Sequence, residues 1–184
     1  MRLARLARYA LVPAAFALTF ASGDALAKLA KGGDANVSFT ATGPGGLKIV
    51  GTTSDLQVAD GDKVVVTVPL KNLDTKIELR NKHMRDKYLE VDKYPDAVLT
   101  VARSEVKVPQ SGEVSSEANG TMKIHGKEKN VRIKYTAKRN GDKIGVTGNV
   151  RLDIDDYGIE KPSFMGATVK RDVDVAVSFV VSDT

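Results

Sequence analysis

The sequence contains no cysteine. Disulfides, thiolate metal centres and cysteine nucleophiles are therefore excluded, and an exported form of the chain must stand on its hydrophobic core alone. Tryptophan is absent too, and aromatic residues make up only 5% of the chain, which argues against the aromatic girdles of an outer-membrane barrel. Histidine occurs twice, at His83 and His125, with no zinc-type spacing such as His-x-x-x-His. There is no Gly-x-Ser-x-Gly elbow and no phosphate-binding glycine loop, and Gly43-Pro44-Gly45-Gly46 has the composition of a turn. Asp153, Asp155 and Asp156 lack the spacing and closing glutamate of a calcium loop and read as solvated carboxylates at a strand end. No catalytic residue, metal site or cofactor is expected, and the chain does not read as an enzyme.

Long apolar runs are also missing. A run without charge, from Tyr9 to Ala21, follows Arg2, Arg5 and Arg8 and is cut off by Gly23 and Asp24, short of the roughly 20 apolar residues of a membrane-spanning helix. Basic start, apolar middle and the small-x-small end Ala25-Leu26-Ala27 are the parts of a cleavable secretory signal. Residues 1–27 are expected to be removed and the protein to work in the periplasm or outside the cell, not as an integral membrane protein. Cleavage takes away three arginines and one aspartate, lowering the net charge from +5 to +3. Such a weak and evenly spread charge does not point to nucleic acid, and the mixed cluster from Arg80 to Lys87 reads as a solvated face. Residues 28–184 form one expected domain, long enough to bury about 70% of its unfolded surface. Monomer and homodimer both fit.

What is present is alternation. Val173, Val175, Val177 and Phe179 fall on one side of a strand, with Asp172, Asp174, Ala176 and Ser178 on the other, the pattern of an antiparallel strand with one wet face. Val146-Gly148-Val150-Leu152-Ile154, Val131-Ile133-Tyr135 and Val64-Val66-Val68-Leu70 repeat it. Asn140-Gly141 and Asp60-Gly61-Asp62 supply hairpin turns. Further strands are expected over 36–42, 47–58, 97–108 and 114–124, giving about eight, enough to close a small barrel. One segment differs. From Thr75 to Val91, apolar residues fall at Ile77, Met84, Tyr88 and Val91, which suits a helix with one buried stripe. Asp74 or Thr75 is placed to cap it, with Glu78 completing a capping box. The expected fold is all-β: an extended eight-stranded antiparallel barrel with one α-helix inserted after the third strand.

The segment Asp153-Ile154-Asp155-Asp156-Tyr157-Gly158-Ile159, followed by Pro162-Ser163-Phe164-Met165-Gly166-Ala167-Thr168-Val169, closely resembles the C-terminal signature of the YceI-like family of exported polyisoprenoid-binding proteins. Arg80-Asn81-Lys82-His83-Met84, running on to Lys93-Tyr94-Pro95, and the turn Ile124-His125-Gly126-Lys127-Glu128-Lys129 resemble that family in the order it requires. The resemblance implies a lipocalin-like barrel with a helix over it and a long isoprenoid or acyl lipid as the partner. Candidate cavity residues are then Val66, Val68, Leu70, Ile133, Tyr135, Val150, Leu152, Val175, Val177 and Phe179, with Met84, Tyr88, Phe164 and Met165 as lids. From physics alone Phe164 and Met165 read as a core plug in preference to a gate, since Phe and Met usually fill space. The same inward positions suit a filled barrel that acts as an envelope structural or interaction module, and sequence does not separate the two.

Overall fold

Turn chemistry decides where the alternating stretches become separate strands. The computed structural model describes residues 28–164 and 167–183, the side chains of Phe164, Ala167 and Asp183 excepted. Residues 1–27, the expected leader, and Met165 lie outside the described residues, as does the Phe164 side chain. In chain order the elements are β1 (Leu29–Thr42), β2 (Lys48–Thr53), β3 (Gln57–Asp60), β4 (Lys63–Pro69), α1 (Glu78–His83), β5 (Asp96–Ala102), β6 (Glu113–Ile124), β7 (Lys127–Asn140), β8 (Lys143–Asp153), β9 (Ser163–Phe164), β10 (Ala167–Thr168) and β11 (Asp172–Asp183). Nine of these form one antiparallel sheet in the order β2-β1-β11-β8-β7-β6-β5-β4-β3, and β9 pairs with β10 in a separate ribbon.

The sheet therefore has nine strands where eight were expected, and the helix follows the fourth strand, not the third. The difference arises at 54–56. Thr53 Oγ1 accepts a hydrogen bond from the Asp55 amide (3.1 Å), and Leu56 turns into the core at 2% exposure, splitting the stretch 47–58 into β2 and β3. The sheet curls until β1 meets β3. No ladder joins β2 to β3 among the described residues; closure rests on contacts between β1 and β3. The Leu29 amide donates to Asp60 Oδ2 (2.9 Å), and the buried Asp60 carboxylate pairs with Arg103 (3.1 Å).

One end of the barrel is sealed. Ile144, Val181, Ala137 and Leu56 are all at or below 2% exposure and pack with Leu29, Val37, Val68 and Phe179. The segment 103–112 brings Val108 against this cluster. It is held by the Lys107 amide donating to Tyr135 Oη (2.6 Å) and by Arg139 Nε donating to the Pro109 carbonyl (2.7 Å).

Opposite lies the helical segment. Regular α-helix covers only Glu78–His83 and continues as a wider turn over Met84–Tyr88. Met84 and Val91 are buried as expected, but Ile77 is half-exposed. Neither Asp74 nor Thr75 caps the helix; Ile77 occupies the N-cap without a side-chain bond. Lys76 adopts a left-handed φ of 66°, which turns the chain and leaves residues 74 and 75 outside the first helical turn. Asn81 ties them back. Its Oδ1 accepts from both the amide and the hydroxyl of Thr75 (2.7 Å each), and its Nδ2 donates to Asp74 Oδ1 (2.8 Å).

Hydrogen bonds from Lys76 and Asn81 hold the Asp74 carboxyl well below the usual carboxylate range. A group depressed in the folded state stabilises above its unfolded value, and that contribution disappears as pH falls through the folded one. The unfolding midpoint is therefore expected to fall more steeply below about pH 4 in the parent protein than in Asp74→Asn. Equal slopes in the two proteins would assign the acid limb to other carboxylates.

Candidate functional site

The inward faces of the strands enclose a cavity of about 1120 Å³, just above the usual range for small-molecule sites. Every described candidate from the sequence lines it: Val66, Val68, Leu70, Met84, Tyr88, Ile133, Tyr135, Val150, Leu152, Val175, Val177 and Phe179. Burial varies along the barrel. Side chains at the sealed end are inaccessible, whereas Val66, Ile133, Val150, Val175 and Val177 at mid-height are only half-buried although they point inward. Apolar side chains inside a close-packed core do not keep accessible surface, so the barrel is hollow in its middle.

Alternation in β1, β5 and β6 also puts Phe39, Leu99 and Met122 on the lining. The helical segment contributes Ile77, Leu79, Arg80, His83 and Lys87. Leu79 and Ile77 are 63% and 51% exposed, and Leu47 of the β1–β2 turn is 61% exposed. Residues that are open to solvent and also line the cavity mark its mouth. The cluster Arg80 to Lys87 is therefore not a wholly solvated face, since three of its basic members, Arg80, His83 and Lys87, reach the cavity. Pro162, Ser163 and Val169 border the cavity from the 162–169 segment.

Besides the unladdered closure at β3, the wall is incomplete at a seam between β7 and β8. β6 and β7 pair along their whole length, and so do β8 and β11. The β7–β8 ladder, however, runs only from Asn140↔Lys143 to Lys134↔Asn149. Beyond that pair the strands separate, and the cavity reaches the outward-facing Lys134 and Asn149.

Above the seam, Tyr157 packs with Met122, Leu152 and Ile159. Burial and the neighbouring Asp156 charge push its phenol up to about 12, so it remains a neutral donor. Its Oη has no hydrogen-bond partner among the described residues. The 154–159 segment is latched by His125. This residue sits in a left-handed turn (φ 50°) with Nδ1 3.2 Å from the Tyr157 carbonyl and Nε2 hydrogen-bonded to Glu90 Oε2. The Tyr94 ring meets the imidazole edge-on at 4.7 Å. One side chain thus joins three segments, and its loss leaves a part-buried carboxylate and carbonyl without a partner. His125→Ala is expected to destabilise the protein by about 1–3 kcal/mol, read from urea unfolding; a change below about 0.5 kcal/mol would mean that packing alone holds the segments.

No group of three or more metal-ligating side chains occurs among the described residues, and none of their helices is long and apolar enough to cross a membrane. The outward strand faces carry ion pairs such as Arg151–Asp174 (2.7 Å) and Arg132–Glu117 (3.7 Å), unlike the apolar band of a membrane barrel.

A model of the YceI-like domain matches residues 16–181. The chain belongs to the YceI-like family. Among its relatives, the UPF0312 protein of Pseudomonas syringae pv. syringae (strain B728a) is 29% identical over 126 residues, covering 65% of this chain and 64% of that protein. A UPF0312 protein of Pseudomonas putida (strain W619) is 26% identical over 130 residues, 67% and 66% of the two chains. The match thus spans about two thirds of the length of these relatives. Solved structures share the fold at low identity. A polyisoprenoid binding domain from Saccharophagus degradans, implicated in plant cell wall breakdown, superposes with a TM-score of 0.74 at 15% identity, covering 86% of this chain and 99% of that one. Burkholderia cenocepacia BcnA gives 0.64 at 16% identity over 79% and 95%.

Proposed function

We propose that this YceI-like protein is a lipid carrier or sequestering protein that holds one long apolar chain, isoprenoid or acyl, inside the barrel. The observation that carries the reading is the hollow middle: inward valines and isoleucines that keep accessible surface around a cavity of about 1120 Å³. At about 0.8 kcal/mol per buried CH₂, twenty chain carbons gain on the order of 16 kcal/mol before the costs of association. A fraction of that retains an insoluble chain. The polyisoprenoid-binding neighbour supports the isoprenoid option. The twelve described lining residues named from the sequence are the proposed contacts. The leader supports export to the periplasm or beyond, with residues 28–184 as the working domain and monomer or homodimer as its form. No reaction is proposed, because among the described lining residues no hydrogen bond joins a nucleophile to a base.

The test is direct. The protein is purified from its host without detergent and extracted with organic solvent, and the extract is analysed by mass spectrometry. About one lipid per protein is expected. A clean extract, together with no uptake of added prenyl or fatty acyl chains, would favour a ligand-free envelope module.

A further inference from the structure

Among the described residues that line the cavity there is no aspartate and no glutamate. Its basic side chains are not scattered. Arg80, His83 and Lys87 stand at i, i+3 and i+7 on one face of α1 and the turn that continues it, the spacing that puts side chains side by side. Of the other two lysines on the lining, Lys134 is paired with Glu117 (3.6 Å), and Lys107 lies on the 103–112 segment at the sealed end.

Arg80 is the fixed member. Its Nε donates to Thr75 Oγ1 (2.8 Å) and its Nη2 to the Thr75 carbonyl (2.6 Å). Thr75 and its partner Asn81 are 3% and 5% exposed. Both are neutral, and the carboxylate that the network reaches, Asp74, is bonded to Asn81 and paired with Lys76, so the guanidinium is oriented without a carboxylate of its own. No carboxylate lies within ion-pair distance of it among the described residues. His83 is solvent-facing, and Lys87 is shared with the exposed Glu160 (3.3 Å). A part-buried cation beside apolar surface is stabilised by a counter-ion, and an oriented guanidinium suits the oxygens of a phosphate or carboxylate in particular.

We infer that the ligand carries an anionic head group, a phosphate or a carboxylate at the end of its apolar chain, and that Arg80, His83 and Lys87 receive it at the mouth. This rests on the reading of the cavity as a lipid site and adds the chemistry of the ligand's polar end. The hydroxyl of a neutral lipid leaves Arg80 uncompensated, and an ammonium head is repelled.

The experiment is displacement of a fluorescent acyl probe from the full-length mature protein by paired ligands of equal chain length: a prenyl monophosphate against the prenyl alcohol, and a fatty acid against its amide. The anion is expected to bind at least tenfold tighter in one pair, and the pair with the larger ratio identifies the head as phosphate or carboxylate. In Arg80→Gln the ratio is expected to drop toward one, while Arg80→Lys keeps part of it. His83→Gln/Lys87→Gln, which leaves the Thr75 network in place, is expected to reduce the ratio several-fold. Equal affinity for both members of each pair, or a ratio that survives Arg80→Gln, overturns the head-group inference and leaves the carrier reading standing. Displacement by none of the four overturns both.

Discussion

Ile144→Ala is expected to cost about 3 kcal/mol of unfolding free energy, and Val150→Ala less than about 1 kcal/mol. Both residues lie on β8, and both side chains point into the barrel. Ile144 has no accessible surface, so truncation there removes its transfer energy and leaves a void that close-packed neighbours fill only partly. Val150 already borders a void. Shortening it enlarges an existing cavity, and much of its surface was never withdrawn from the interior space. Urea denaturation of the two variants beside the parent protein measures the contrast. Equal losses would mean that the barrel is packed at mid-height, and the hollow interior would have to be given up.

Val175→Trp is expected to reduce bound lipid from about one per protein to below about a tenth, while stability changes by less than about 1 kcal/mol or rises. Val175 sits on β11 between Phe39 of β1 and Val150 of β8, pointing into the widest run of half-buried side chains. Extra volume at that point occupies the path of the chain. In a filled core the same substitution overpacks and typically costs about 1–3 kcal/mol, so the sign of the stability change is itself informative. Ala176→Trp, one residue on and facing outward, is the matched control and is expected to leave bound lipid unaltered. Loss of lipid in both variants would point to a general effect on the strand and not to the cavity.

The barrel walls were legible because alternation is a local property. β8 and β11 show their inward rows in the sequence without help from any neighbour, and the Asn-Gly and Asp-Gly-Asp turns fix where the chain reverses. The break between β2 and β3 was not legible, since it is made by a threonine hydroxyl and an inward leucine with no glycine or proline to announce it. The helix cap was misread for a related reason: Lys76 takes a conformation that lysine rarely adopts, and the capping pattern presumes that it does not. Arg80, His83 and Lys87 looked like solvent-facing charges because a charged helical face has one periodicity whether it meets water or the mouth of a cavity. Hollow and filled barrels likewise share a sequence pattern. Only the accessibility of the inward rows distinguishes them.

On the carrier reading proposed above, the seam between β7 and β8 bears on which chains the barrel would take. A closed vessel acts as a ruler, rejecting whatever exceeds its internal length. With the ladder ending at Lys134↔Asn149 and the cavity reaching the outer surface there, surplus carbons have a way out through the wall. On that reading selection would fall on the girth of the chain and the chemistry of its end, with its length left ungraded.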